Sequence, residues 1–306
     1  MRRPGISRRD FAVAGVAATG IRLAFGATLS ARDAVSRIQS AAGPMPEGST
    51  DGFVAGDPQV AVKGIATTAM PTMDVLKQAG KSGLNLIVAY EGVYYGQAQP
   101  AGRGAPQSGR GGGRAQGGLG PDDPVYLAKK EFIEKNGMAI FRFRDQWAAR
   151  KENPLAVGLA ESMGWSNYQV AGDPTSYEIP EVRFEALVAD LRRRLNTRGG
   201  VRVIGERQAA IRKVALLPGL IAIDTGLKRL PQADLLMTGE TREWEVAEYA
   251  FDATTAHRNK GFIMLGRILS EDPGMRACSN WIKTVVPEVP VQWIGTGDPY
   301  WRPASA

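Results

Sequence analysis

Nearly continuous apolar runs of strand length recur along the chain, each set beside a stretch with helical spacing. Leu84–Ala89 and Met138–Phe143 are such runs. A strand apolar along its whole length, rather than at alternate positions, is buried on both faces, as in a parallel sheet covered by helices. Val60–Thr67 predicts a further strand and Val201–Ile204 a short one. Helices are predicted at Ala31–Ala41, where Ala34, Val35 and Ile38 share a face, at Met73–Gly80, at Val125–Asn136 behind Asp123-Pro124, and at Pro154–Met163 before Gly164. A further one, Phe184–Leu195, carries Phe184, Leu187, Val188, Leu191 and Leu195 on one side. Gly43–Asp57 reads as loop.

The second half then repeats the first. A shift of 149 residues without a gap brings Ile65-Ala66 onto Val214-Ala215, and Asn85–Glu91 onto Asp234–Glu240. Each copy reads strand, helix, strand, with a glutamate where the second strand ends. Each continues into a helix, a glycine and a strand: Val125–Asn136, Gly137 and Met138–Phe143, then Glu243–Thr254, Gly261 and Phe262–Leu265. Strands alternating with helices imply parallel crossovers. The expected fold class is therefore α/β, a layered fold of two similar βαβ-containing halves related by a pseudo-two-fold, with a central insertion. The halves are expected at residues 31–150 and 206–306, completing one domain through a connecting segment at 151–205. Ligands of such sheets collect beyond the carboxyl ends of the strands. Those ends carry Tyr90-Glu91, Arg144-Asp145, Glu240, and Arg267 with Glu271.

Composition narrows the chemistry. The 306 residues include one histidine, His257, and one cysteine, Cys278. An internal disulfide is excluded, and imidazole and thiolate are too scarce for the usual zinc, iron, nickel or copper sites. His257 follows a predicted helix end, where a cation suits the helix dipole, and reads as structural. The formal charge of +7 is local. Residues 1–26 hold five arginines against Asp10, residues 96–120 hold Arg103, Arg110 and Arg114 with no acid, and the remainder is neutral. The global basic excess of a nucleic-acid binder is missing, so no nucleic-acid partner is expected.

Residues 96–120 also hold ten glycines, a composition that predicts a disordered loop. Ser7-Arg8-Arg9-Asp10-Phe11 precedes an apolar, small-residue run to about Ala27. That arrangement describes a secretory signal, and the paired arginines resemble the twin-arginine export signal. A signal over residues 1–30 places the mature chain in the periplasm or another extracytoplasmic space. Arg22 leaves the apolar run too short to span, so no stable membrane span is expected after processing.

Three ordered motifs carry a family resemblance. Asn85–Tyr95 is an apolar strand running into Tyr90-Glu91-Gly92; Asp123–Gly137 followed by Phe141–Trp147 is a helix-strand unit; Thr238–Trp244 stands ahead of Leu265-Gly266-Arg267-Ile268-Leu269-Ser270-Glu271. Together they resemble the Nif-three-like dinuclear metal-centre family, some of whose members are called GTP cyclohydrolase I type 2, over about Asp51 to Pro303. The resemblance implies two metal ions between the halves of each subunit and a ring-shaped homohexamer. Metal-bound water would then be a nucleophile near neutral pH.

The chain departs from the family pattern at the ligands. Tyr90 replaces the first metal-binding histidine, Arg144, Gln146 and Ala148 replace the imidazoles of the middle run, and Arg267 replaces the C-terminal one. Glu91, Asp145 and Glu271 are the acids retained at family metal positions, and Glu240 is a candidate to line the site. Two readings follow. In the first, arginine–carboxylate pairs stand in for the metals, and the chain is an exported binding or scaffold protein with a degraded site and an unknown small ligand. In the second, the retained acids hold a weakly bound Mg²⁺, Mn²⁺ or Ca²⁺ through oxygen, and the chain is a metal-dependent hydrolase, GTP cyclohydrolase-like or acting on phosphate esters or nucleotides.

Overall fold

The computed structural model describes residues 28–95, 122–197 and 201–300. Residues 1–27 of the expected export signal (1–30) and the glycine- and arginine-rich segment 96–120 lie outside the described residues. The first half contains α1 (Ala31–Ala42), β1 (Gly52–Gly56), β2 (Ile65–Thr68), α2 (Met73–Lys81), β3 (Leu86–Ala89), α3 (Pro124–Lys135) and β4 (Ala139–Arg142). A short helix α4 (Asp145–Ala148) and α5 (Pro154–Met163) follow, then β5 (Ser176–Arg183), α6 (Phe184–Arg194) and β6 (Arg202–Ile204). The second half holds β7 (Ala210–Leu220), α7 (Ile223–Arg229), β8 (Leu235–Glu240), a π-helical turn (Glu243–Ala247) leading into α8 (Glu248–Thr255), β9 (Gly261–Met264), the long α9 (Arg267–Val285) and β10 (Val291–Trp293).

The strands form two five-stranded sheets, ordered β1-β4-β3-β2-β10 and β5-β7-β8-β9-β6. Ile65 pairs with Leu86, and Val214 pairs with Leu235, so the shift of 149 residues read from the sequence carries one pairing register onto the other. It also preserves which face each side chain takes. Ile65, Leu86 and Val88 share a core with α1 and α9, while Ala66 and Ile87 pack outward with α2 and α3. In the second sheet Val214, Leu235 and Met237 face α5 and α6, while Ala215 and Leu236 pack with Val246 and Ala250. The three inner strands of each half are parallel, and antiparallel strands guard the edges at β1, β5 and β6.

Helix α9 ties the halves together, touching β2 and β10 of one sheet and β7 and β8 of the other. It crosses α5 backbone to backbone. A Cβ on Gly158 would come within 2.6 Å of the Pro273 carbonyl oxygen, and one on Gly274 within 2.8 Å of Leu155 Cα. Only glycine permits that approach.

The structure adds strands to the pattern-based reading. Gly52–Gly56 lies in a stretch expected as loop but pairs with β4 as an edge strand. The C-terminal β10 returns to the first sheet, beside β2. No described helix is long and apolar enough to cross a membrane.

Candidate functional site

The carboxyl ends of β3, β4, β8 and β9 open toward one another around the start of α9. After β3 the chain stays tied to β2: the Tyr90 N–H donates to the Thr68 carbonyl at 3.0 Å and the Glu91 N–H to that of Ala69 at 2.9 Å. After β9, Leu265 and Gly266 donate to the Thr238 and Gly239 carbonyls at 2.9 and 2.8 Å. Gly266, at φ 92°, then turns the chain into α9, whose first residue is Arg267. Backbone bonding thus sets Glu91 and Arg267 on facing sides of the gap between halves.

A second device aims Arg144. Arg144 is the N-cap of α4, which is too short to hold its own start, and Asp51 does so from across the first half. The buried Asp51 carboxylate accepts the N–H groups of Arg144, Asp145 and Gln146 at 2.8, 3.0 and 2.8 Å. This is N-capping supplied by a residue remote in sequence. The Arg142 guanidinium stands 3.6 Å from the same carboxylate.

Two guanidinium groups meet on one oxygen. Arg144 Nη1 donates to Glu91 Oε1 at 3.1 Å, and Arg267 Nη2 donates to the same oxygen. Arg267 Nε also reaches Glu271 Oε1 at 3.3 Å, one turn further along α9. Arg144 lies over the Tyr90 ring at 5.4 Å. Two guanidinium groups face two carboxyl groups with unequal exposure: the Arg144 side chain is 31% exposed and Arg267 27%, while Glu91 is 12% and Glu271 2%. The arginines form the mouth and the acids the floor.

The floor is tightly built. Gly219, at φ 81°, presses against Glu271, where a Cβ would come within 2.7 Å of Oε1. The Ser270 hydroxyl accepts the Gly219 N–H at 2.9 Å and donates to the Arg267 carbonyl at 2.7 Å. Glu271 Oε2 is buried without a hydrogen-bond partner. Burial raises the Glu271 pKa to about 7, with Arg267 only partly offsetting it and Glu91 adding to the rise. Burial, followed by the Glu271 carboxylate, also pushes the Tyr90 phenol well above its ordinary range. For Arg267, burial favours loss of the proton, but Glu271 and Glu91 outweigh it and the pKa rises.

Among the residues singled out from sequence, Tyr90, Glu91, Arg144, Arg267 and Glu271 are brought together. Asp145 is not. Its Oδ2 accepts the Thr50 N–H at 2.8 Å and the Thr50 hydroxyl at 3.1 Å, and Arg142 Nη1 stands 3.3 Å away. Burial alone would raise its pKa, but the Thr50 N–H and Arg142 outweigh that and hold it below the usual range. Gln146 turns to α1 and donates to the Gln39 and Gly43 carbonyls at 2.8 and 2.5 Å. Ala148 is exposed on α4. Glu240 is exposed at the end of β8 and contributes to the charge around Arg267. His257 is exposed just after α8 at φ 55°, its N–H bonded to the Thr254 carbonyl. Cys278 is buried in the core on α9.

Sequence reasoning missed Asp51, Arg142 and the Gly219–Ser270 contact. None has a spacing signal: Asp51 and Ser270 act on backbone N–H groups far away in the chain, and Arg142 on the side chains of Thr50 and Asp51. Among the described residues, no group of three or more His, Cys, Asp or Glu side chains is arranged to hold a metal ion.

No family model and no curated protein sequence matches the chain. Likeness is found at the level of fold. A Bacillus cereus protein related to NIF3 superposes with a TM-score of 0.64 at 14% identity, over 90% of this chain and 100% of that one. A hypothetical protein from Staphylococcus aureus gives 0.62 at 15% identity, with the same coverage. A Thermus thermophilus protein gives 0.55 at 18% identity, over 88% of this chain and 95% of that one. The fold is that of NIF3-related proteins.

Proposed function

We propose that the chain is an exported NIF3-like protein in which arginine–glutamate pairing has replaced the family's dinuclear metal centre, leaving a metal-poor binding or scaffold site for a small ligand. One observation carries this reading: Arg144 and Arg267 both engage Glu91. A divalent ion bound at that carboxylate would face two fixed positive charges, each opposing it by about 4 kcal/mol at 4 Å in a surface-like dielectric. The guanidinium groups already neutralise the acids, which removes the electrostatic reason to recruit a cation. The residues present therefore do not fit a two-metal centre.

The site keeps binding capacity of another kind. Arg144 has one hydrogen bond to Glu91 and remains about a third exposed. Its other donors suit a carboxylate or phosphate group of a ligand entering between the halves. The hydrolase reading needs Glu91, Asp145 and Glu271 to converge on one ion. It gains no support from an Asp145 whose charged oxygen is committed to Thr50 and Arg142.

Export and assembly into a ring-shaped hexamer belong to the same proposal. The first rests on Ser7-Arg8-Arg9-Asp10-Phe11 ahead of a small-residue run. The second is supported by Trp244 and Phe251, which are 66% and 55% exposed on the described chain and which a subunit interface would cover. Elemental analysis of the protein purified from its native compartment without chelator tests the metal claim. Metal well below one ion per chain is expected, and near-stoichiometric metal overturns the reading. Fractionation that finds the protein only in the cytoplasm overturns the export claim, and sedimentation as a monomer overturns the assembly.

A further inference from the structure

Successive residues on α9 send carboxylates to opposite sides. Glu271 belongs to the arginine cluster, whereas Asp272 lines a separate cavity of about 270 Å³. That cavity lies between the end of α6, the first turns of α9 and the segment after β10. It includes Gly295 and Asp298 of the glycine-containing stretch Gly295–Pro299, which the arginine cluster leaves unused.

One wall is held in place. Asp272 is 8% exposed and accepts the Ala69 N–H at 3.3 Å, the Thr296 N–H at 2.9 Å and the Trp293 side-chain N–H. Those bonds fix the indole. Gly295 lets the ring pack directly on the main chain: a Cβ there would come within 3.0 Å of Trp293 and 3.3 Å of Asp272 Oδ2. Arg276, one turn along α9, sits 5.7 Å from the Trp293 ring. It forms no ion pair among the described residues, whereas Arg194 across the cavity is bound to Asp190 at 2.6 Å. Leu195, Leu269 and Pro273 supply apolar surface.

We propose that this cavity binds a small planar monocarboxylate, with the carboxylate on the Arg276 fork and the flat body against Trp293. The volume lies just below the roughly 300–1,000 Å³ of drug-sized ligand sites, which limits the ligand to about one ring. A guanidinium matches a carboxylate with two parallel hydrogen bonds, and an indole favours a planar partner. Asp272 stands in the same cavity, and its carboxylate opposes the two charges of a phosphate ester more than the single charge of a carboxylate. The proposal is independent of the arginine–glutamate cluster on the other face of α9.

Benzoate titrated into the full-length protein carrying 5-fluorotryptophan, followed by ¹⁹F NMR, tests it. The chain has six tryptophans, and Trp293→Phe identifies the resonance to follow. Benzoate is expected to shift that resonance saturably, with a Kd of roughly 1 mM or tighter. Arg276→Gln is expected to weaken binding about tenfold or more. Arg276→Lys, which keeps the charge and loses the fork, falls between. Neutral benzamide and dianionic phenyl phosphate are expected to bind far more weakly than benzoate. Arg276 is exposed, so the variant keeps the fold. The absence of a saturable shift at Trp293, equal binding by Arg276→Gln, or equal binding of benzamide overturns the proposal.

Discussion

Arg267 and Glu91 are 176 residues apart in the chain and form an ion pair across the gap between its two halves. Each stands just past a parallel strand, where main-chain bonds to the neighbouring strand hold the turn. The contact therefore reports the relative position of the halves as well as the charge state of the site.

Arg267→Gln is expected to lower stability. Arg267 separates Glu91 from Glu271, and its loss leaves two acids, one of them buried, facing each other with Arg144 alone in compensation. Removing one partner of a buried pair costs about 3–5 kcal/mol, and the partial exposure of Arg267 reduces this to about 2 kcal/mol. Urea denaturation of variant and wild type measures the difference. Unchanged or increased stability would contradict the pairing.

Glu271 makes stability depend on pH. Its folded-state pKa is raised from 4.5 to about 7, so between those values the folded chain binds more protons than the unfolded one. Stability then falls as pH rises through that window, and the loss is complete above pH 7. Glu271→Gln is expected to flatten the fall between pH 5 and 8, by up to about 3 kcal/mol. Asp272, raised from 3.8 to about 6, leaves a residual slope at the acid end. Urea midpoints across this pH range decide it: equally steep profiles for the two proteins would refute the assignment.

Asp51→Ala removes the carboxylate that caps three successive N–H groups of α4 and stands beside Arg142. A loss of about 3 kcal/mol is expected, since a buried cap and a charge partner disappear together. Thermal or urea unfolding reads it, and a change below about 0.5 kcal/mol would show that α4 is held by other means.

At the crossing of α5 and α9, Gly158→Ala forces a methyl group to within 2.6 Å of the Pro273 carbonyl oxygen. Overpacking of this kind costs about 1–3 kcal/mol. An exposed helical Gly→Ala change would instead stabilise, so the sign of the measured change in urea midpoint tests the close approach.

The parallel core of each sheet was legible because strands covered on both faces leave long apolar runs. Ile65-Ala66 could be matched to Val214-Ala215, and Asn85–Glu91 to Asp234–Glu240, as apolar strand starts and a strand ending in glutamate. Helix α9 was hidden for a physical reason. Its Asp272-Pro273-Gly274 reads locally as a turn, yet Gly274 is required by contact with Leu155, and packing against both sheets carries the helix through the proline. Strand β1 escaped because two glycines frame three residues, with no room for a period to show. At the site, sequence could name the strand-end positions but not the side-chain directions. Asp145 sits beside Arg144 in the chain, but the Thr50 and Arg142 contacts turn it away from Glu91.

The central claim is that the arginines exclude metal from a site that would otherwise accept it. Calorimetric titration of Zn²⁺ and Mn²⁺ into the wild-type protein and into the triple variant Tyr90→His, Arg144→His, Arg267→His tests this most directly. The account predicts no saturable binding at the wild-type site and at least one tightly bound ion in the variant, where three imidazoles join Glu91 and Glu271. Tight, saturable binding by the wild type, abolished by Glu91→Gln, would contradict it.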